Sequence, residues 1–252
     1  MIQGRLYIIP TPIGNLEDIT LRAIRLLGEV DRILAEDTRR TRVLCHHYAI
    51  RTAIVSVRAH NLPGKLASLV SDLSSGARYA LVSDAGMPGV SDPGVPLVHA
   101  AAEQGIPIEV LPGASAVVTA LAGSGLSADR FVFSGFPPRK GGRRRQWLQQ
   151  LLIEPRTTVF YEAPLRLTQT LADLAAQLEP SRHVVVAREL TKLHESWYRG
   201  TPSELASRFS AETVRGEITV VVAGCAKPGV QPHRNRYQPD ATADEPDEEG
   251  DE

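Results

Sequence analysis

The 252-residue sequence predicts an α/β protein of two domains, with a mainly parallel sheet in the N-terminal one and a mixed sheet in the C-terminal one. Three observations carry that prediction. Short apolar runs alternate with helical segments through the first half, the pattern of right-handed βαβ units on a parallel sheet. Around Leu126-Ser127-Ala128-Asp129 the alternation pauses, and beyond it strands outnumber helices. The chain also exceeds the roughly 100–200 residues usual for one domain. The expected division is residues 1–125, residues 126–226 and a disordered acidic tail over 227–252.

The first strand, Leu6-Tyr7-Ile8-Ile9, ends in Pro10-Thr11-Pro12-Ile13-Gly14-Asn15. Thr20 is placed to cap a helix whose Leu21, Ile24 and Leu27 recur at helical spacing, with Gly28 as its stop. A second strand, Val30 to Ala35, runs into Glu36-Asp37-Thr38-Arg39-Arg40-Thr41-Arg42, which opens another helix. Strands at Ala53–Val57, Tyr79–Val82 and Ile106–Leu111 lead respectively into Arg58-Ala59-His60-Asn61, Ser83–Gly94 and Pro112-Gly113-Ala114-Ser115-Ala116. In a parallel sheet these five strand-to-helix loops share the carboxyl edge, where open α/β sheets bind ligands. The opposite connections, such as Leu27-Gly28-Glu29 and Ser74-Ser75-Gly76-Ala77, are short and plain. That asymmetry points to a site.

Ser83–Gly94, reading SDAGMPGVSDPG, is the densest of the five loops. Pro88 and Pro93 stiffen it, while Gly86, Gly89 and Gly94 let backbone approach a ligand. Gly, Pro, Asp and Ser are also ordinary turn residues, so the loop alone does not decide between a cradle and a connection. No GxGxxG follows the first strand and no GxxxxGK[ST] occurs, so neither a dinucleotide fingerprint nor a P-loop is supported.

In the second half, strands are expected at Phe131–Gly135, Thr157–Tyr161, His183–Ala187, Trp197–Gly200 and Gly216–Val222. Pro164 suits the first turn of a helix that carries Leu167, Leu171, Leu174 and Leu178 on one face. Thr201 caps a brief helix. Between the first two of these strands lies a basic stretch in a Pro/Gly setting, with Arg139, Lys140, Arg143, Arg144 and Arg145.

Charge sharpens the reading. The formal net charge is −1, but residues 240–252 hold eight acidic groups and no Lys or Arg, so positions 1–239 carry +7. A basic body fits a polyanion such as nucleic acid. Cys45 and Cys225, the two cysteines, have neither disulfide-framework nor zinc spacing, and the seven His are scattered, so no metal is expected. No apolar run approaches the roughly 20 residues of a membrane span and MIQGRLYIIP lacks the parts of a secretion signal, so a soluble, cytoplasmic protein with no membrane partner is expected.

LYIIPTPIGNLEDITLRA (6–23), AEDTRRT (35–41), LVSDAGMPGVSDPG (81–94), LPGASA (111–116), FYEAPLRL (160–167), VARELTKLHE (186–195) and RGEITVVV (215–222) occur in that order. Together they resemble the ribosomal RNA small subunit methyltransferase I family, of tetrapyrrole-methylase fold. The resemblance implies S-adenosylmethionine in the cleft between two domains, a homodimer, and 2′-O-methylation of a cytidine ribose in the decoding region of 16S ribosomal RNA within the small subunit. It places the cofactor against Pro12, Ser83, Asp84, Ala85, Gly86, Met87, Ser91, Ser115 and Ala116, with Tyr161 closing the cleft. Two segments depart from the family's usual form. Val57-Arg58-Ala59-His60-Asn61-Leu62 stands where an acidic HEHNE-like segment is usual, and Met87, Gly89 and Val90 replace Thr, Leu and Ile.

A ribose hydroxyl needs its proton drawn away before it attacks, so a base or a cation near it is expected. Glu36, Asp37, Glu189 and Lys192 are the candidates, each equally able to be a salt-bridge partner. Arg39, Arg40 and Arg42 adjoin the expected site, and Arg139, Lys140, Arg143, Arg144 and Arg145 are expected to offer a second phosphate-binding face. A tetrapyrrole methyltransferase and a non-catalytic RNA-binding or assembly protein are the rival readings, because a shared fold does not fix a substrate.

Overall fold

The computed structural model describes residues 4–92, 94–211 and 213–225; the segment expected to form an acidic tail lies outside them. Five strands, β1 (Arg5–Ile9), β2 (Arg32–Ala35), β3 (Ile54–Ser56), β4 (Arg78–Val82) and β5 (Ile108–Val110), form an all-parallel sheet in the order β3-β2-β4-β1-β5. Its helices are α1 (Leu21–Glu29), α2 (Thr38–His47), α3 (Leu62–Ser74) and α4 (Val95–Glu103). Both faces of β1 and β4 are covered. Tyr7, Ile9, Ala80 and Val82 face the side of α1 and α2, while Leu6, Ile8, Tyr79 and Leu81 face α3 and α4. This two-sided burial is why those strands read as continuous apolar runs.

A second sheet contains β6 (Phe131–Phe133), β7 (Thr157–Glu162), β8 (Val184–Arg188), β9 (Ser196–Gly200) and β10 (Ile218–Val222) in the order β6-β7-β10-β8-β9. Only β6 and β7 run parallel; β10 lies antiparallel between β7 and β8, and β9 antiparallel to β8. On one face lie α6 (Gly141–Ile153), α7 (Pro164–Gln177) and α8 (Pro202–Ser210), around buried Phe160, Leu167, Leu171, Leu174 and Phe209. On the other lies α5 (Ala116–Ser124), whose Val117, Ala120 and Leu121 join Ile13, Val159, Val185 and Val221 in one cluster. Through α5 and Ile13 the two halves share a core. The expected α/β class, parallel sheet followed by mixed sheet, is the one observed.

Some local expectations differ. Gly28 sits inside α1, which runs on to Glu29 with Val30 as its cap, and β2 begins only at Arg32. Leu21 is 86% exposed, because the helix buries Ala23, Leu26 and Leu27 instead. β3, β5 and β6 are three-residue strands, shorter than their apolar runs, which extend into loops. Thr20 accepts from Ala23 N, and Thr201 with Glu204 forms a complete capping box, so both caps act as expected. Among the described residues no helix is long and apolar enough to cross a membrane.

Candidate functional site

The carboxyl edge of the first sheet meets the second sheet along a cleft. The loops after β1 and β4 are tied together there: Thr11 and Gly86 exchange backbone hydrogen bonds of 3.0 and 2.9 Å, the Thr11 hydroxyl donates to Ser83 O at 3.0 Å, and the Ser83 hydroxyl donates to Gly86 O at 2.8 Å. Gly86 holds φ +86°, a conformation that a Cβ would strain. A cavity of about 490 Å³ opens beside this knot. Its N-terminal wall includes Glu36, Ser83, Asp84, Ala85, Ser91 and Asp92; Ala116 comes from α5, and Phe136, Tyr161, Leu190 and Glu217 come from the second half. A second cavity, about 330 Å³, adjoins it and is bordered by Pro12, Leu16, Arg40, Val43, Leu44 and Lys192.

Asp92 Oδ1 accepts from the amides of Gly89 at 2.8 Å and Gly94 at 3.0 Å. Its Oδ2 is buried without a partner among the described residues. Burial pushes the Asp92 carboxyl up, the two amides oppose this, and Asp84 adds to the rise. Glu36, at the end of β2, is likewise pushed up, by burial first and then by the Asp84 and Asp92 carboxylates. Two neighbouring carboxylates that disfavour a third negative charge are a usual cause of such a shift.

Asp37 is differently placed. It caps α2 by accepting from Arg39 N at 2.9 Å and pairs with the Arg39 guanidinium at 2.7 Å. Arg39 holds its carboxyl well below the usual range. The Asp37 amide donates to Asp84 Oδ1 at 2.8 Å, so this residue sets the position of Asp84. In the second half, Glu189 accepts from the Glu217 amide at 2.7 Å and from Lys192 Nζ at 2.8 Å. Burial pushes Glu189 up, but Lys192 and that amide outweigh it and hold the group below its ordinary value. Lys192 also reaches Glu217 at 3.1 Å; burial lowers its pKa, and the two carboxylates more than reverse the shift.

Glu189 and Thr191 both have positive φ, +53° and +64°, in the loop after β8. That loop packs on Gly14: a Cβ there would strike Lys192 Cγ and lie 2.7 Å from Thr191 Oγ1 and 2.8 Å from Leu190 O. Gly14→Ala is therefore expected to push the two halves apart and lower stability by about 1–3 kcal/mol, as overpacking does, read from denaturant melts. A wild-type midpoint would refute the close fit.

Residues 5–206 match the family described as Tetrapyrrole (Corrin/Porphyrin) Methylases. The ribosomal RNA small subunit methyltransferase I of Synechocystis sp. is 49% identical over 221 residues, covering 88% of this chain and 79% of that protein. The same-named protein of Thermotoga maritima is 47% identical over 221 residues, 88% of this chain and 99% of the relative. The chain belongs to the ribosomal RNA small subunit methyltransferase I family. Among solved structures, uroporphyrin-III C-methyl transferase from Thermus thermophilus complexed with S-adenyl homocysteine superposes with a TM-score of 0.62 at 21% identity, over 87% of this chain and 97% of that one. That likeness is one of fold.

In this family member, Ser83, Asp84, Ala85, Ser91, Ala116 and Tyr161 border the larger cavity and Pro12 the smaller. Gly86, Met87 and Ser115 border neither. Met87 packs instead on the core between α3 and α4, and Ser115 flanks Gly86 as the residue before α5. Sequence reasoning missed Phe136, Leu190 and Glu217 as wall residues. Gly216, Glu217, Ile218 and Thr219 border the larger cavity too, in a segment that reads as a strand and carries the family likeness but offers no site signal of its own.

The basic stretch needs a correction. From Gly141 on the stretch is helical, the start of α6, and Arg144 points inward. Its guanidinium pairs with Asp173 at 2.6 Å and donates to Thr170 Oγ1 at 3.1 Å and Pro138 O at 3.2 Å. Thr170 in turn donates to Glu162 at 2.6 Å, and Glu162 pairs with Arg166 at 3.3 Å. With its donors so committed and only 9% exposed, Arg144 is removed from the phosphate-binding face, whereas Arg139, Lys140, Arg143 and Arg145 are exposed. Arg39, Arg40 and Arg42 are exposed on α2, and Arg40 lies 3.9 Å from Glu217 across the cleft.

Proposed function

We propose that this protein is an S-adenosylmethionine-dependent methyltransferase that 2′-O-methylates a cytidine ribose in the decoding region of 16S ribosomal RNA. Residues 1–125 and 126–226 would act as the two domains of the cleft, in a cytoplasmic homodimer working on the small ribosomal subunit. The observation that carries this reading is the acidic cavity between the sheets, in a chain whose first 239 residues carry +7. Its volume of about 490 Å³ falls in the roughly 300–1,000 Å³ of small-molecule sites.

The residues present fit the cofactor. Glu36, Asp84, Asp92 and Glu217 suit a sulfonium cation with an ammonium group and ribose hydroxyls, and the orphan Asp92 Oδ2 is a buried acceptor awaiting a donor. Tyr161, Phe136, Leu190 and Ala116 would hold its apolar and aromatic portions. When bound, the cofactor supplies an electrophilic methyl group. The protein's part is alignment of the acceptor, worth several kcal/mol when orientation is good, and removal of the hydroxyl proton. Of the four candidates for proton removal, Glu36 alone borders the larger cavity with a raised pKa. Asp37 and Glu189 are engaged by cations that lower their basicity, and Lys192 is held protonated.

Incubating the protein and S-adenosylmethionine with small ribosomal subunits lacking the modification, then mapping 2′-O-methyl groups, tests the whole reading. One new mark at a decoding-region cytidine is expected; none, despite cofactor binding, would move the acceptor to another class of molecule. For the RNA face, Arg143→Ala with Arg145→Ala should weaken RNA binding and flatten the slope of log K against log salt by about 1–2. Cofactor binding should stay as in the wild type. An unchanged salt slope in filter binding would exclude that face.

A further inference from the structure

Two cavities share one wall. Ile13, Arg40, Ser83, Asp84, Ala85 and Glu217 border both the larger and the smaller cavity, so occupants of the two would lie against each other. In-line transfer demands such contact, with reacting atoms about 3–3.5 Å apart. The chemistry of the two differs. The larger adds Glu36, Asp92 and Glu162 to the shared Asp84, Glu217 and Arg40, whereas the smaller adds a second cation, Lys192, and an apolar side formed by Leu16, Val43 and Leu44. Val43 is 63% exposed on α2, an uncovered apolar side chain beside Arg42 and one turn from Arg40. Glu217 bridges the cations, 3.1 Å from Lys192 Nζ and 3.9 Å from Arg40, as an anion's oxygens would.

Resting on the methyltransferase reading, we infer that the smaller cavity is the pocket for the acceptor nucleotide, with its base against Val43 and Leu16 and its phosphate on Arg40 and Lys192. An anionic nucleotide with a flat apolar base matches the two cations and the apolar side, with its phosphate taking the place that the Glu217 carboxylate holds between Arg40 and Lys192. Phosphate displaces the Glu217 carboxylate from the two cations, which ties filling of the pocket to a change in the wall shared with the cofactor.

The test uses the full chain saturated with S-adenosylhomocysteine and titrated with cytidine monophosphate, with binding read by ligand-observed NMR. Val43 borders only the smaller cavity and is exposed, so Val43→Trp fills the pocket without touching the core. That variant is expected to bind the nucleotide at least about tenfold more weakly, with kcat/KM for ribosomal RNA falling by a similar factor. S-adenosylhomocysteine affinity is expected to stay at its wild-type value. Lys192→Met is expected to weaken cytidine monophosphate but not cytidine, because the phosphate is what it holds. Wild-type nucleotide binding by Val43→Trp, or loss of S-adenosylhomocysteine affinity in its place, overturns the pocket while leaving the methyltransferase reading intact. Nucleotide binding lost in Val43→Trp, with no methyl transfer to ribosomal RNA by the wild type, keeps a nucleotide site there but overturns its role as acceptor pocket together with that reading.

Discussion

Replacing Glu36 with Gln is expected to slow methyl transfer by about 10²–10⁴-fold, the usual contribution of a general base. The substitution keeps shape and burial but removes the one carboxylate among the four candidates that borders the cavity with a raised pKa. Sign follows from role. A base works ionised, so the wild-type rate falls as pH drops through the raised pKa of Glu36, and the Gln variant lacks that acid limb. Asp37→Asn is the informative contrast. Its carboxylate is ionised to far lower pH, and Asn keeps both the side-chain oxygen that caps α2 and the backbone amide that holds Asp84, so the limb is expected to remain. Single-turnover rates across the acidic and neutral range decide the matter, and an acid limb that survives in Glu36→Gln would reassign the base.

Arg144→Ala is expected to cost about 3–5 kcal/mol, the range for removing one partner of a buried ion pair, and to lower the melting temperature by roughly 6–20 °C. Asp173 would keep a charge with no cation in a half-buried place, and Thr170 and Pro138 would lose donors. The damage reaches the cleft because Thr170 also holds Glu162, which borders the larger cavity. Arg144→Lys keeps the charge but not the fork of donors, so an intermediate loss is expected. RNA binding by the folded fraction should keep its wild-type salt slope. A stable Arg144→Ala protein with a flattened slope would return Arg144 to the phosphate-binding face.

These two residues also mark what a sequence can disclose. Glu36 was legible because it directly follows a strand of a parallel sheet, and every such position lies on one edge whatever the tertiary detail. Arg144 was not, because its inward direction depends on Asp173 and Thr170, far along the chain and on another helix. Periodicity carries strand and helix but says little about which apolar residue faces out, as Leu21 shows at 86% exposure. Met87 sits within the loop richest in site signals, yet its side chain packs on the core, since a loop's composition does not tell which of its residues turn inward. Glu217 was missed for the opposite reason: its segment carries the family likeness and reads as a strand, and it becomes a wall residue only when that strand is inserted between two others.

That insertion has a kinetic side. The first sheet possesses all its strands once Val110 has been synthesised, whereas the second lacks its middle strand until Val222 has followed. Until then β7, paired with β6, and β8, paired with β9, each present a bare inner edge of apolar strand. Unpaired edges of this kind template wrong partners during folding. A nascent chain halted before Ile218 would thus hold a finished first layer and an unfinished second one, open along the seam where its last strand belongs.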